Sequence, residues 1–197
     1  MEKDRLAAFS DGVVAIIVTI MVLELKAPHS ADWSALAPLA PTFASYVLSF
    51  AYVAIYWNNH HHLLYAVSRV DGLVLWANMH LLFWLSLIPF ATAWMADNDF
   101  ASAPTILYGV ALLMPAIAYY LLTAAILRAD GPASTLAGAV GRDAKGRASI
   151  VMYLCAIAAG YFVSPLLALG LYVAVAIMWL APDPRIERVV AGSDDQR

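Results

Sequence analysis

The first hydrophobic segment carries polar side chains that could bind a cation or hold helices together. Between Arg5 and Lys26 the sequence reads RLAAFSDGVVAIIVTIMVLELK, and Ser10, Asp11 and Thr19 interrupt its aliphatic run. A carboxylate inside a lipid-spanning helix is energetically costly and is usually functional. A hydroxyl in the same helix offers an oxygen that can partly replace the hydration water of an ion.

The position of Asp11 relative to the lipid depends on where this first helix begins. If Ser10, Asp11 and Gly12 only cap the helix, residues 13–25 span roughly 20 Å, which is short of the ~30 Å hydrocarbon core. A helix that begins near Arg5 spans about 30 Å and contains Asp11. Length therefore favours an acid within the span, with the cap as the alternative.

A helical wheel divides this segment into two faces. At ~100° per residue, Thr19, Ile20 and Leu23 lie within about 60° of Ile16, whereas Asp11 points roughly 140° away from it. The pattern predicts an aliphatic stripe with a single hydroxyl on one face and the acid on another. In most membrane helices such a stripe packs against neighbouring helices or lipid.

Composition places the chain in the lipid bilayer. Of its 197 residues, 63% are hydrophobic and 13% are charged, and the mean hydropathy is +0.75, whereas soluble domains are ~25% charged. We expect an all-α integral membrane protein in which residues 1–181 form one transmembrane domain and 182–197 a polar cytoplasmic tail. The six expected spans are 5–25, 38–60, 70–95, 104–127, 147–163 and 165–181, with a kink at Pro89 and a break at Ser164 and Pro165.

The basic residues predict the orientation. With six spans, both termini lie on one side together with all of the 11 Lys and Arg residues except Lys26. Cytoplasmic loops are enriched in basic residues, so both termini are expected in the cytoplasm, with the protein in the plasma membrane.

Three consecutive histidines, His60 to His62, suggest a metal site. Adjacent helical residues point ~100° apart, and no carboxylate or cysteine lies at a suitable helical spacing, so we favour an interfacial cluster that bonds Asp11, Asn78 or nearby tryptophans. The sequence has no phosphate-binding Gly-rich loop, no defensible Ser-His-Asp arrangement and no basic cluster with interleaved aromatics. It therefore predicts neither an enzyme nor a nucleic-acid-binding protein.

Several motifs in the first 95 residues resemble those of the transmembrane protein 175 family. The pattern Arg-x-x-x-Phe-Ser-Asp, at positions 5 to 11, opens the first helix. Further matches are WNNHHH from Trp57, Trp76 with Asn78, and FWLSLIPF from Phe83. The resemblance implies a potassium-permeable channel in which the first helix lines a central pore.

The same resemblance implies roles for individual residues. It places pore constrictions at Ile16 and Leu23 and a selectivity-related hydroxyl at Thr19, and the wheel independently puts all three on one face. It also implies a structural network between helices one, two and three, and none of its members is expected to coordinate the ion. The network comprises Arg5, Phe9, Ser10, Asp11, Trp57, His61, Trp76 and Asn78.

The resulting hypothesis is a passive potassium-permeable channel in a bacterial plasma membrane. Because the chain holds the six-helix unit once, the resemblance implies a homotetramer with monovalent cations as the permeant species and no cofactor. One alternative is a proton-coupled or metal-ion transporter that uses Asp11 and the histidine cluster. Another is a non-conducting membrane scaffold.

Overall fold

The part of the chain described by the computed structural model, residues 3–67, 69–131 and 144–180, folds into α-helices joined by short connections. A short 3₁₀ helix, Trp33–Leu39, leads into the second of them. In chain order the helices are α1 (Lys3–Leu23), α2 (Ala40–Tyr65), α3 (Gly72–Ser86), α4 (Ile88–Asp97), α5 (Ser102–Asp130), α6 (Ala144–Phe162) and α7 (Pro165–Leu180).

Four continuous stretches are long and apolar enough to cross a membrane. They are Lys3–Leu23, Trp33–Tyr65, Gly72–Asp97 and Ser102–Asp130, and Pro165–Leu180 is a shorter apolar helix. The protein is thus an all-helical, multi-pass membrane protein, and its described residues form six helices when α3 and α4 are taken as one crossing. The expected tail, 182–197, and most of the expected loop between α5 and α6 lie outside the described residues.

The helix boundaries follow local chemistry. Asp71 caps α3 because its carboxylate accepts a hydrogen bond of 2.9 Å from the Val74 backbone N–H. Pro165 begins α7, where a missing N–H has no consequence. Helix α2 ends at Tyr65 rather than at residue 60, so all three adjacent histidines lie within the helix.

The third crossing is interrupted beside Pro89. Because Pro89 lacks an N–H, it cannot continue the ladder of hydrogen bonds from α3, and it occupies the second position of α4. At the junction the Leu87 N–H bonds the Trp84 carbonyl at 3.2 Å, which is the tighter 3₁₀ pattern. The expected kink is thus a one-residue break between two helices.

The hydrophobic core has two parts. One joins α1, α2, α3 and the C-terminal half of α5 through buried residues such as Leu6, Ile17 and Leu81. The other joins α2, α4, the N-terminal half of α5, α6 and α7 around buried tyrosines, among them Tyr108 and Tyr172. Helix α1 packs against α2, α3 and α4, which leaves one of its faces uncovered by its own chain.

Candidate functional site

The uncovered face of α1 carries the stripe that the helical wheel predicts. Ile16 is 59% exposed and Leu23 is 77% exposed, and Ile20 and Thr19 are also exposed. Their sequence neighbour Ile17 is only 3% exposed because it faces the core. On the opposite face α1 buries Leu6, Ser10, Val14, Ile17 and Met21. The stripe therefore has no partner within the described part of the chain and is available to a second molecule or to a pore.

The Thr19 hydroxyl bonds its own helix. Its Oγ1 lies 2.6 Å from the Ala15 carbonyl oxygen and 3.0 Å from that of Ile16. A hydroxyl has one proton and two lone pairs, so donating the proton to the backbone still leaves the oxygen able to accept. The Thr19 oxygen can therefore still ligate a cation from the exposed side of the helix.

A buried chain of hydrogen bonds joins α1, α2 and α3. The Asn78 side-chain amide donates to Ser10 Oγ at 3.0 Å, and Ser10 donates to the Leu6 carbonyl at 2.9 Å. His60 Nε2 lies 2.7 Å from Asn78 Oδ1. Because an amide oxygen only accepts, His60 donates this bond. Ser10, His60 and Asn78 are all at least 96% buried, so this chain fixes three helices at one level.

Asp11 takes part in a second, more exposed contact. Trp57 donates its indole N–H to Asp11 Oδ1 at 2.9 Å. The His61 ring lies beside the Trp57 ring, with centroids 5.9 Å apart. Because α1 begins at Lys3, Asp11 lies inside the helix and not at its cap. Its carboxylate thus joins α1 to α2 rather than facing the stripe.

The structure brings together part of the predicted network and leaves part of it apart. Ser10 with Asn78, and Asp11 with Trp57 and His61, are in contact. In the described ranges, Arg5, Phe9 and Trp76 are exposed and lie outside these bonds.

The predicted network names His61, and His60 was expected only as a member of the histidine cluster that bonds Asp11, Asn78 or nearby tryptophans. It is the most buried of the three adjacent histidines, and it makes the bond to Asn78. It lies two helical turns after the buried Val53 and therefore on the same face of α2, but the sequence alone does not show that this face is the buried one.

The histidines are arranged as packing and hydrogen-bonding groups. His80 accepts a hydrogen bond of 2.8 Å from the Trp84 indole four residues later. The ring of His62 contacts that of His61, with centroids 5.7 Å apart. Among the described residues, no group of three or more His, Cys, Asp or Glu side chains is placed to hold a metal ion.

Comparisons with known proteins agree with this architecture. A family model described as endosomal/lysosomal potassium channel TMEM175 matches residues 5–89. A protein of Chryseobacterium sp. (strain P1-3), named Potassium channel HX13_20290, is 52% identical over 188 residues, covering 95% of this chain and 97% of the relative. A human relative named Endosomal/lysosomal proton channel TMEM175 is 35% identical over 81 residues, 35% of this chain and 16% of that protein.

A solved structure shares the fold. The crystal structure of a lysosomal potassium-selective channel TMEM175 homologue from Chamaesiphon minutus superposes with a TM-score of 0.76 at 30% sequence identity, covering 91% of this chain and 96% of the other. The matched family motif lies on α1 to α4, which carry both the uncovered stripe and the hydrogen-bonded network. The chain therefore belongs to the TMEM175 family, a family of membrane-spanning ion channels rather than enzymes.

Proposed function

We propose that this protein is a potassium-permeable channel whose pore is lined by α1 from four copies of the chain. The observation that carries the proposal is the uncovered stripe of Ile16, Thr19 and Leu23 on a helix whose opposite face is buried. The Chryseobacterium and Chamaesiphon relatives described as potassium channels support potassium as the permeant ion.

A pore lined by α1 requires several copies of the chain arranged around one axis. Each chain contributes one such stripe, and a single helix cannot enclose a path for an ion. Cyclic assembly places identical stripes around one axis, and a homotetramer gives each pore level four copies of the same side chain. Ile16 and Leu23 then form two aliphatic rings, and Thr19 forms a hydroxyl layer between them.

The chemistry of these rings suits selective passive conduction. An aliphatic ring supplies no oxygen, so an ion that passes it loses hydration without replacement, and the ring acts as gate and barrier. Potassium loses hydration water more easily than sodium. Oxygen atoms from the Thr19 layer offset part of the dehydration cost between the two rings, and this bias favours potassium further.

The charge distribution supports a definite orientation. Arg5, Arg69, Arg128 and Lys145 lie at or beyond helix ends on one side of the bundle, and Lys26 lies on the other. Basic residues concentrate on the cytoplasmic side, so we place both termini in the cytoplasm. The bacterial source of the most extensive matches supports a plasma-membrane location.

A proton-coupled or metal-ion transporter is less well supported by the geometry. Asp11 accepts a hydrogen bond from Trp57, and His60 is hydrogen-bonded to Asn78 in the buried contact between α2 and α3. A carrier mechanism requires groups that exchange their ligand during transport, whereas these side chains join helices.

A cation-replacement recording tests the proposed function. Purified protein is placed in a planar bilayer with potassium on both sides at different concentrations, and sodium balances the charge on the dilute side. It should pass a current that reverses close to the potassium equilibrium potential. The current should rise with potassium concentration without requiring a second substrate. A current that reverses with a pH gradient instead, or saturable exchange without current, would contradict the proposal.

A further inference from the structure

A cavity lies between α2, α5, α6 and α7, on helices that do not belong to the candidate pore face. The space between these helices amounts to about 550 Å³ when the part that is open to the surroundings is counted. Its walls are largely aromatic: Tyr52 and Tyr56 come from α2, Tyr119 from α5, Tyr153 from α6 and Trp179 from α7. Neither the proposed pore, nor the network of polar bonds, nor metal binding gives this cavity a role.

The cavity extends from one end of the bundle toward its middle. Along α6 its lining runs from Gly146, near the start of the helix, to Tyr153, a distance of about 10 Å at ~1.5 Å per residue. Tyr120 on α5 also lines the cavity and is 56% exposed. The cavity therefore opens at the side of the single chain, beside Tyr120.

Several polar atoms of the wall already bond other groups of the protein. The Tyr119 hydroxyl donates to the Asn59 carbonyl at 3.1 Å, and the Trp179 indole donates to Ser149 Oγ at 2.7 Å. Tyr52 donates to the Tyr172 carbonyl at 2.6 Å. The rest of the wall offers an occupant mainly the faces of aromatic rings and aliphatic groups. The cavity is therefore suited to an apolar chain and not to a polar solute.

Basic side chains, together with Asp130 at the end of α5, lie at the same end of the bundle as this end of the cavity. Lys145 and Arg147 lie in the first turn of α6, and Arg128 lies in the last turn of α5. The Lys145 ammonium is 5.9 Å from the centroid of the Trp179 ring, which lines the cavity. An occupant with an anionic head at this end and an apolar tail inside matches both features.

We propose that this cavity binds an anionic phospholipid of the surrounding membrane. One acyl chain lies between the tyrosines, and the phosphate lies beside Lys145 and Arg147. The lipid touches α2 at Tyr52 and Asn59, and Trp57, which bonds Asp11 of α1, lies about 160° around the same helix from Asn59. The lipid therefore fixes the position of the helix that holds α1.

Photolabelling of the full-length protein tests the binding step. The protein is reconstituted in phosphatidylcholine vesicles with a trace of phosphatidylglycerol that carries a photoreactive group in the half of one acyl chain nearest the headgroup. Peptide mapping should place the label between residues 146 and 153 of α6 and near Ala116 of α5. Unlabelled phosphatidylglycerol should compete for labelling, and additional phosphatidylcholine should not.

Matched variants identify the site. Ala116→Phe fills the cavity and should reduce labelling by about tenfold, which corresponds to the loss of about two buried methylene groups. Ala124→Phe, at an exposed position of the same helix, should label as the wild type does. Should Ala116→Phe fail to fold, Lys145→Gln with Arg147→Gln should remove the preference for phosphatidylglycerol, and Lys26→Gln should retain it.

Two results would overturn this proposal. Labelling that phosphatidylcholine competes equally well would show annular lipid contact only, and labelling unchanged in both the cavity and the charge variants would place the lipid elsewhere. The binding step does not depend on the proposed conduction. A protein that carries no current in any lipid, yet labels as expected, would contradict the channel proposal alone.

Discussion

Ile16 and Ile17 are chemically identical neighbours with opposite environments. Ile16 is 59% exposed on the uncovered face of α1, and Ile17 is 3% exposed in the core. The 3.6-residue period of the helix predicts this difference from the sequence, because the prediction requires only the position of each residue on the helical wheel. The pair therefore provides an internal control for the assignment of the pore face.

Substitution of Ile16 by asparagine should open the constriction. The amide has a similar size but binds water and ions, so dewetting is relieved, and we expect larger potassium conductance with weaker discrimination against sodium. Substitution by a larger apolar residue such as phenylalanine should suppress current. Single-channel conductance and reversal potentials in mixed potassium and sodium solutions measure both effects.

The control for this experiment is Ile17→Asn. Because Ile17 packs in the core, an amide at this position is buried without a hydrogen-bond partner and should cost about 1–3 kcal/mol of stability. We expect lower yield and a lower melting temperature without an increase in conductance. If Ile17→Asn raised the current and Ile16→Asn did not, the pore face would be on the other side of α1.

Thr19→Val should lower the potassium-to-sodium permeability ratio while leaving the closed barrier intact. Valine keeps the shape of threonine and removes the oxygen that remains able to accept after the hydroxyl bonds Ala15 and Ile16. Thr19→Ser retains this oxygen and should keep the ratio close to that of the wild type. Reversal potentials under bi-ionic conditions distinguish the two variants, and an equal ratio in all three proteins would mean that the Thr19 oxygen never contacts the ion.

At the scale of elements, α1 is fixed to α2 and α3 by two polar contacts at adjacent positions, Ser10 and Asp11. The family resemblance implied that these residues join helices, and the carboxylate of Asp11 in an apolar span also needs a partner. The sequence did not predict which histidine takes part. Adjacent histidines differ only in their direction around α2, and that direction depends on how α2 packs against α3, which local sequence does not determine.

Loss of the Asp11 contact should weaken assembly more than selectivity. Asp11→Ala and Trp57→Phe each remove one partner of the same 2.9 Å bond, and a bond to a charged group contributes about 1.5–3 kcal/mol. We expect less folded oligomer by size-exclusion chromatography in both variants. The double variant should be little worse than either single variant, and Asp97→Ala, at the exposed end of α4, should have no effect. Well-assembled Asp11→Ala channels that have lost selectivity would contradict the structural role.

Removal of the Asn78 amide should destabilise the bundle. Asn78→Leu leaves the His60 N–H and the Ser10 hydroxyl oxygen without the partner they now share, and each orphaned buried group costs about 1–3 kcal/mol. Asn58→Leu, at an exposed position of α2, is the matched control and should stay within about 0.5 kcal/mol of the wild type. Thermal unfolding in detergent compares the two, and equal melting temperatures would show that the buried chain contributes nothing to stability.

At the scale of the whole molecule, hydropathy and the distribution of charge predict the class and the orientation of the protein without side-chain detail. A mean hydropathy of +0.75 indicates an integral membrane protein, and the segregation of basic residues predicts the orientation. The cavity between α2, α5, α6 and α7 was not predictable in this way. Its aromatic residues lie on four different helices, and they converge only after the second core has packed.

In the proposed assembly the pore is formed by several chains, and mixed assemblies test this directly. Wild-type and Ile16→Asn chains with different affinity tags are co-expressed, and channels that carry both tags are purified. If each constriction ring draws one side chain from every copy, these channels should show conductances between those of the two pure assemblies, in steps that follow the number of variant chains. If each chain enclosed its own pore, only the two parental conductances would occur. The same result would assign Ile16, Thr19 and Leu23 to a lipid-facing surface, because a single α1 helix cannot surround an ion.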